Sequence, residues 1–274
     1  MPPAEPADIR RQETLAFVAR ALGGPGRRVL DVGCGEGALA LELQRAGHTV
    51  TAIDGRAEAV AAAQAKGVDA RQADFLTFEG GPFDALVFAF SLHHMEPLPA
   101  ALARARDLLA PGGRLILMEV AFDRVDRATA LFFQGMRDVL LAAGALSGPE
   151  VSGALEPGAD PLALWHEMRA DAYARYLEGG THHHHGHGHS QDALHGAAHT
   201  EPDELHGSAA MRAELAKGFR FLHEEEGPGL YSFMLEDLHL DQGETARRLL
   251  ALERGLVAAG AIRAVGVRWV ATPR

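Results

Sequence analysis

Several residue types that mark specialised protein classes are scarce in this chain of 274 residues. A single cysteine, Cys34, excludes an internal disulfide framework and suits a reducing compartment. No apolar run reaches the roughly 18–20 residues that span a bilayer, so no membrane association is expected. The opening stretch, MPPAEPADIRRQE, lacks the apolar core of a secretory signal, and we therefore expect a cytoplasmic location.

Lysine is also rare, since Lys66 and Lys217 are the only two among 26 basic residues, and the formal net charge is −11. Nucleic-acid partners usually need a concentrated basic face, so this acidity predicts no nucleic-acid partner. The hydrophobic fraction of 47% and the charged fraction of 23% are typical of a soluble globular protein. The length fits one large domain or two small ones.

Strand and helix patterns alternate five times in the first part of the chain. Short apolar runs predict strands, and apolar residues at helical spacing between them predict helices. The predicted strands cover residues 27–32, 49–53, 68–73, 85–90 and 115–120. Because parallel strands need crossover connections, this alternation predicts a parallel sheet with helices on both faces. Ligands of such sheets bind beyond the carboxyl ends of the strands.

The alternation stops after residue 121, and helical patterns follow. Helices are predicted over 131–143, 162–177 and 209–222, and a last helix precedes a final strand at 265–271. The intervening segment is too long for a connecting loop, so we expect it to cover the site. The predicted divisions are an α/β core (1–121), a helical cap (122–240) and a C-terminal helix and strand (241–274) that complete the core.

The strongest motif is VLDVGCGEG at residues 29–37. Its glycines permit a tight turn from strand to helix and let a ligand approach bare backbone. They are Gly33, Gly35 and Gly37. Asp31 lies inside the strand end, where a buried carboxylate needs a partner such as an ammonium group. Asp54 ends the second strand and suits the paired hydroxyls of a ribose. On these residues alone, a dinucleotide site and a turn without a ligand both remain open.

Five short motifs, in order, resemble the class I S-adenosylmethionine-dependent methyltransferases. They are VLDVGCGEG, TAIDG, QADF, FDALVFAFSLHHM and LLAPGGRLILME, which together cover residues 27–120. The resemblance implies a methyltransferase that uses S-adenosylmethionine. It also implies a Rossmann-like, mostly parallel sheet of seven strands in the order 3-2-1-4-5-7-6, with the seventh strand antiparallel and a helical cap inserted after strand five.

Two other nucleotide-binding classes fit less well. A phosphate-binding loop fits poorly because no Gly-Lys-Ser/Thr follows the glycines. A nicotinamide-dependent oxidoreductase has a similar glycine turn and ribose acid, but SLHHM after strand four and PGG before strand five favour the methyltransferase.

The resemblance also implies contacts with the cofactor. The glycines would border its methionine part, Asp31 its amino group, Asp54 its ribose, Asp74 the adenine amino group and Phe75 the adenine ring. The full set of implied cofactor-binding residues is Asp31, Gly33, Gly35, Gly37, Asp54, Asp74, Phe75 and Phe90. By residue type alone, Asp74 could instead be an exposed loop acid and Phe75 a core aromatic. Cys34 is expected to pack, because no paired base is evident.

Two histidines after the fourth strand are the catalytic candidates. His93 and His94 lie at the ligand edge, and a histidine is the usual base for an alcohol or phenol acceptor. We rank His94 first because related sequences often have a single histidine there, although both could merely shape the loop. The Asn/Asp-Pro-Pro-Tyr/Phe signature of nucleic-acid amino methyltransferases is absent, since this position reads Ala89-Phe90-Ser91-Leu92. Because the chain is acidic and the predicted cap would cover the site, a small-molecule acceptor, methylated on oxygen or nitrogen, is expected.

A histidine-rich stretch lies within the predicted cap. Nine histidines occur between His182 and His206, and imidazoles can bind zinc, nickel or copper. The candidate metal ligands are His182, His183, His184, His185, His187 and His189. The loop (181–206) has few apolar residues to fix a geometry, so we expect weak, adventitious zinc or nickel binding. A metal-handling protein on a methyltransferase-like fold is the alternative function.

Overall fold

The computed structural model describes residues 6–146, 158–177, 206–235, 238–239 and 243–274. Its strands are β1 (Arg28–Val32), β2 (Thr49–Asp54), β3 (Asp69–Gln72), β4 (Phe83–Ala89), β5 (Leu109–Val120), β6 (Phe219–Gly227) and β7 (Gly266–Pro273). Its helices are α1 (Pro6–Leu22), α2 (Ala38–Arg45), α3 (Ala57–Ala65), α4 (Leu98–Leu108), α5 (Arg127–Ala142), α6 (Pro161–Leu177), α7 (Ser208–Gly218), α8 (Tyr231–Leu235) and α9 (Gly243–Ala258). Strands and helices alternate up to β5, as predicted.

The strands form one seven-stranded sheet in the order β3-β2-β1-β4-β5-β7-β6. The first five strands pair in parallel, whereas β7 pairs antiparallel with both β5 and β6. The predicted fold class and strand order are therefore confirmed. The carboxyl ends of β1, β2, β4 and β5 meet at one edge of the sheet, where the candidate residues lie.

Side chains that alternate along the central strands build the core on both faces of this sheet. On one face, Leu86 and Phe88 of β4 pack with α4 and α7. On the other face, Ala85 and Val87 pack with α1, α2 and α3. A third cluster joins α5, α6, α8 and α9 around Trp165, so helices of the predicted cap pack with the helix of the predicted C-terminal segment.

One predicted helix is wrong at its end. The pattern at 209–222 predicts a continuous helix, but α7 ends at Gly218 and β6 begins at Phe219. Met211 and Leu215 of α7 lie in the sheet's own core cluster, and β6 pairs with β7 along its length. Residues 208–227 are thus part of the α/β core although the prediction places them in the cap. The rest of the domain division stays a prediction.

Among the residues that the structure describes, no helix combines the length and apolar character needed to cross a membrane.

Candidate active site

The turn between β1 and α2 is a tight loop whose backbone bonds to the neighbouring strand. The N–H groups of Gly33 and Cys34 both donate to the carbonyl oxygen of Ile53, at 2.9 and 3.0 Å. Gly33, Gly35 and Gly37 all have positive φ angles, of 71°, 53° and 74°. A Cβ on Gly33 would lie 2.7 Å from Cβ of Ser91, and one on Gly37 would lie 2.7 Å from Cβ of Ala63. Close packing at the loop therefore requires glycine at these two positions, whether or not a ligand binds.

Asp31 is a buried carboxylate at the end of β1. Its side chain is 1% exposed, and Oδ2 makes no hydrogen bond in the described structure. Burial, and then the charge of Asp54, raise its pKa from 3.8 to about 7. A buried carboxylate in this state is stabilised by a proton or a cation.

Asp54, at the end of β2, is held by three hydrogen bonds. Its Oδ2 accepts from the N–H of Gly35 at 2.8 Å. Its Oδ1 accepts from the backbone N–H and the Nε of Arg56, at 3.0 and 3.2 Å. Arg56 is itself buried, and its Nη2 has no partner within the described residues. Sequence reasoning missed Arg56, whose guanidinium contacts the carboxylate that the resemblance assigns to a ribose.

The residues after β3 have different surroundings from one another. Asp74 is partly exposed, and its Oδ1 accepts from the N–H of Leu76 at 2.9 Å. Phe75 is 1% exposed and packs edge-on against Phe88, with ring centroids 5.1 Å apart. The ring of Phe75 lies in the core, and its packing against adenine stays a prediction. Cys34 is buried and burial raises its thiol pKa, as expected for a packing residue.

The backbone just after β4 is strained, and hydrogen bonds join it to β1 and β5. Phe90 has a φ of 62°, which is rare for a residue with a Cβ and is a type of strain that concentrates at functional sites. Its N–H donates to the carbonyl oxygen of Met118 at 2.8 Å. The hydroxyl of Ser91 donates to the carbonyl oxygen of Val32 at 2.6 Å. These bonds fix the following turn relative to β1 and β5.

That turn carries His93, which contacts a buried carboxylate of β5. Nδ1 of His93 lies 2.6 Å from Oε2 of Glu119, and Oε1 of Glu119 accepts from the N–H of Leu92 at 2.7 Å. The side chain of Glu119 is 0% exposed and that of His93 is 11% exposed. In the tautomer with its hydrogen on Nδ1, His93 donates to Oε2 of Glu119 and Nε2 is the acceptor nitrogen of the ring.

His94 lies beside His93, with ring centroids 4.0 Å apart. The ring of Phe122, just after β5, meets His93 edge-on at 6.3 Å. Sequence reasoning missed Glu119, although a carboxylate within the apolar run LILMEV is a signal that could have found it.

A cleft adjoins this turn under α1. Its walls include Thr14, Phe90, Met118, Tyr231 and Arg268. Burial, and then the charge of Glu13, raise the pKa of Tyr231 to about 12, so its phenol is protonated at neutral pH. Arg268 is held by Glu225, with Nη1 2.8 Å from Oε1. The cleft thus combines apolar walls with fixed polar groups.

The predicted metal ligands, His182, His183, His184, His185, His187 and His189, lie outside the described residues. In the part of the chain that the structure describes, no group of three or more histidine, cysteine or acidic side chains could hold a metal ion.

Comparison with known proteins agrees with this arrangement. A family model described as a methyltransferase domain matches residues 7–197, more than half of the chain. The chain belongs to the class I S-adenosylmethionine-dependent methyltransferases. The solved structure of an S-adenosylmethionine-dependent methyltransferase from Mesorhizobium loti has the same fold, with a TM-score of 0.53 and 18% identity. The alignment covers 94% of this chain and 96% of that one.

Curated relatives are similar over part of their length. A ubiquinone biosynthesis O-methyltransferase from Xylella fastidiosa is 39% identical over 128 residues, which are 43% of this chain and 52% of that protein. A ribosomal RNA small subunit methyltransferase C from Chromohalobacter salexigens is 40% identical over 127 residues, 42% of this chain and 38% of that protein. The chain thus spans about half the length of the first relative and a smaller share of the second.

The residues of this methyltransferase fit its cofactor. The orphaned oxygen of buried Asp31 suits the ammonium group of S-adenosylmethionine. The glycine turn brings bare backbone to the same edge of the sheet. Asp54 can serve the ribose through the lone pairs that Gly35 and Arg56 leave, since a carboxylate accepts about four hydrogen bonds.

Proposed function

We propose that this methyltransferase methylates a hydroxyl group of a small-molecule acceptor, with His93 as the general base. The observation that carries the proposal is the hydrogen bond between Nδ1 of His93 and the buried carboxylate of Glu119. This contact orients the ring and stabilises the imidazolium that forms when Nε2 takes a proton. The sequence ranking of His94 above His93 is reversed in this proposal.

The chain's own residues perform two tasks, which are to hold the cofactor and to move a proton. The cofactor-binding residues are Asp31, Gly33, Gly35, Gly37, Asp54, Asp74, Phe75 and Phe90, as the family resemblance implies. Bound S-adenosylmethionine supplies a sulfonium methyl group for in-line displacement. His93 removes the hydroxyl proton of the acceptor at Nε2 and passes it to solvent after the transfer, while Nδ1 keeps its hydrogen bond to Glu119.

One observation, the net charge, supports a small molecule over a nucleic acid as the acceptor, while the named relatives include both kinds. The net charge of −11 opposes a phosphate backbone. The Xylella relative is an O-methyltransferase of ubiquinone biosynthesis by its name, whereas the Chromohalobacter relative is named for ribosomal RNA. The absence of a nucleic-acid partner and a cytoplasmic location stay predictions.

The first experiment is calorimetric titration with S-adenosylhomocysteine, followed by turnover with methyl-deuterated S-adenosylmethionine. The acceptor panel contains phenol, catechol, an aliphatic alcohol, a primary amine and a short ribosomal RNA hairpin, and products are detected by mass spectrometry. We expect methylated hydroxyl compounds. Methylation of the amine or the RNA alone would contradict the proposal.

Variants of the two adjacent histidines then assign the base. His93→Asn should lower kcat by about 100-fold or more, because a general base contributes about 10²–10⁴-fold. His94→Asn is the matched control, and both variants should bind S-adenosylhomocysteine like the native chain. A larger loss of kcat in His94→Asn would return the base to His94.

A further inference from the structure

His206 contacts the turn that carries His93. The N–H of His206 donates to the carbonyl oxygen of His93 at 3.2 Å. Its Nε2 lies 3.0 Å from the carbonyl oxygen of Met95 and 2.9 Å from Oε2 of Glu96. His206 is the last of the nine histidines in the histidine-rich stretch, and its side chain is 19% exposed. Its imidazole is therefore engaged with the active-site turn.

The chemistry of these contacts defines the state of the His206 ring. Both neighbours of Nε2 are hydrogen-bond acceptors, so Nε2 must carry a hydrogen. The neutral ring with its hydrogen on Nε2 satisfies this requirement, and so does the protonated ring. The contact thus persists whether the ring is neutral or charged.

The residues after His206 bind the loop that follows β5. The N–H and hydroxyl of Ser208 and the N–H of Ala209 donate to the carboxylate of Asp123, at 2.9, 3.2 and 3.1 Å. Burial alone would raise the pKa of Asp123, but these hydrogen bonds outweigh it and the pKa is lowered. A Cβ on Gly207 would lie 3.2 Å from Cγ of Asp123, so the two segments approach closely. Residues 206–209 thus join the loops after β4 and β5.

We propose that His206 is a positioning residue for methyl transfer, which holds the turn after β4 so that His93 keeps its orientation. This inference rests on the proposed role of His93. Glu119 contacts the ring of His93 and the N–H of Leu92, but neither contact restrains the chain beyond His93. Within the turn, the N–H groups of His94 and Met95 donate to the carbonyl oxygens of Ser91 and Leu92. His206 adds a restraint from outside the turn, at the carbonyl groups of His93 and Met95. A displacement of about 1 Å at a catalytic group can cost about 100-fold in rate, so the restraint matters to catalysis.

The test compares His206→Ala with His206→Gln, because the amide nitrogen of glutamine can take the place of Nε2. His223→Ala is the matched control, since His223 is half-exposed on β6 and pairs with Glu225 at 3.4 Å. The ring nitrogens of ¹⁵N-labelled histidine are recorded at pH 8, and His93→Asn identifies the His93 signals. Thermal melting and calorimetry with S-adenosylhomocysteine report folding and cofactor binding.

In the native chain we expect the His93 signals of a single tautomer with hydrogen on Nδ1. His206→Ala should broaden these signals or move them toward a mixture of tautomers, while His206→Gln and His223→Ala should leave them unchanged. With the panel compound that gives the fastest turnover, His206→Ala should lower kcat by about tenfold with the KM for S-adenosylmethionine unchanged.

Unchanged His93 signals in a folded His206→Ala variant would overturn the inference, even if its melting temperature fell. Failure of the glutamine variant to restore the signals would also oppose it. Loss of S-adenosylhomocysteine binding or of all methyl transfer in the native chain would instead contradict the proposed function, because the His93 signals are measured without cofactor or acceptor.

Discussion

At the scale of single residues, the buried carboxyl group of Asp31 makes the free energy of unfolding depend on pH. Its folded-state pKa of about 7 lies above the ordinary value of 3.8. The folded chain therefore binds this proton more tightly than the unfolded chain does. As the pH rises from about 4 to about 7, ionisation favours unfolding, and stability of the cofactor-free chain falls over that window.

Asp31→Asn should remove this penalty. At pH 8 the cofactor-free variant should be more stable than the native chain by up to about 4 kcal/mol, whereas the difference should vanish near pH 4. Urea unfolding at several pH values measures the effect. Asp69→Asn, at a half-exposed side chain on β3, is the control and should change stability by less than about 0.5 kcal/mol. Equal pH profiles for the native chain and Asp31→Asn would contradict the prediction.

Glu119→Gln should remove both the charge and one of the two acceptor oxygens of the proposed catalytic pair. If the single amide oxygen keeps the N–H of Leu92, the amide NH2 faces Nδ1 of His93, which can then no longer donate there or be stabilised as an imidazolium. We expect kcat to fall by about 10–100-fold while the affinity for S-adenosylhomocysteine is unchanged, measured by turnover and calorimetry. Full activity in this variant would show that Glu119 only shapes the turn.

The sequence allowed prediction of the residues that follow strand ends, but not of their partners. Asp31, Asp54 and His93 could be identified because their positions depend on local order of strand and turn. The contacts of Arg56 with Asp54 and of Glu119 with His93 depend on side-chain direction and on neighbouring strands. Phe75 has the residue type of a ring-stacking contact, but only the fold shows that its ring is in the core.

At the scale of elements, the carboxylate of Glu253 on α9 fixes the start of α8. Its side chain is fully buried and accepts from the N–H groups of Gly229, Leu230 and Tyr231 at 2.7, 2.9 and 2.8 Å. Burial raises its pKa, although the three hydrogen bonds oppose the increase. The contact places Tyr231 in the wall of the cleft.

Glu253→Ala should lower the free energy of unfolding by about 3 kcal/mol, because three buried N–H groups lose their acceptor. Chemical denaturation measures this loss. Glu244→Ala on the same helix is the control, since that exposed side chain pairs only with Arg247 and Arg248 among the contacts seen, and it should leave the free energy of unfolding nearly unchanged. Similar losses in the two variants would argue against the role of Glu253.

The element that sequence reasoning missed, β6, lies at the edge of the sheet. Its sequence, FRFLHEEEG, contains mostly charged residues on its exposed positions and follows α7 without a break. An edge strand has one paired side and carries charge that discourages further pairing, so its apolar signal is weak. The central strands are buried on both faces, and their apolar runs made them predictable.

At the scale of the whole molecule, we predict that metal binding by the histidine-rich stretch and cofactor binding are independent of each other. Deletion of Thr181–His199 should leave S-adenosylhomocysteine affinity unchanged and remove most zinc and nickel uptake, because most of the clustered imidazoles are lost. Calorimetry and metal analysis after equilibrium dialysis measure the two effects. Methyl transfer that stops with a chelator and returns with one metal would instead make the metal part of the mechanism.

The position of β7 between β5 and β6 has a consequence for how the chain acquires its structure. Leu115 of β5 pairs with Ala271, which is translated long after β5. Until then, this side of β5 has no partner strand. During that interval an apolar strand exposes unpaired backbone groups, and β6 has no neighbour in the sheet. Closure over so many residues is entropically costly and slow. The nascent chain is therefore most vulnerable to aggregation before β7 is synthesised, and a holding chaperone should raise the yield of folded protein.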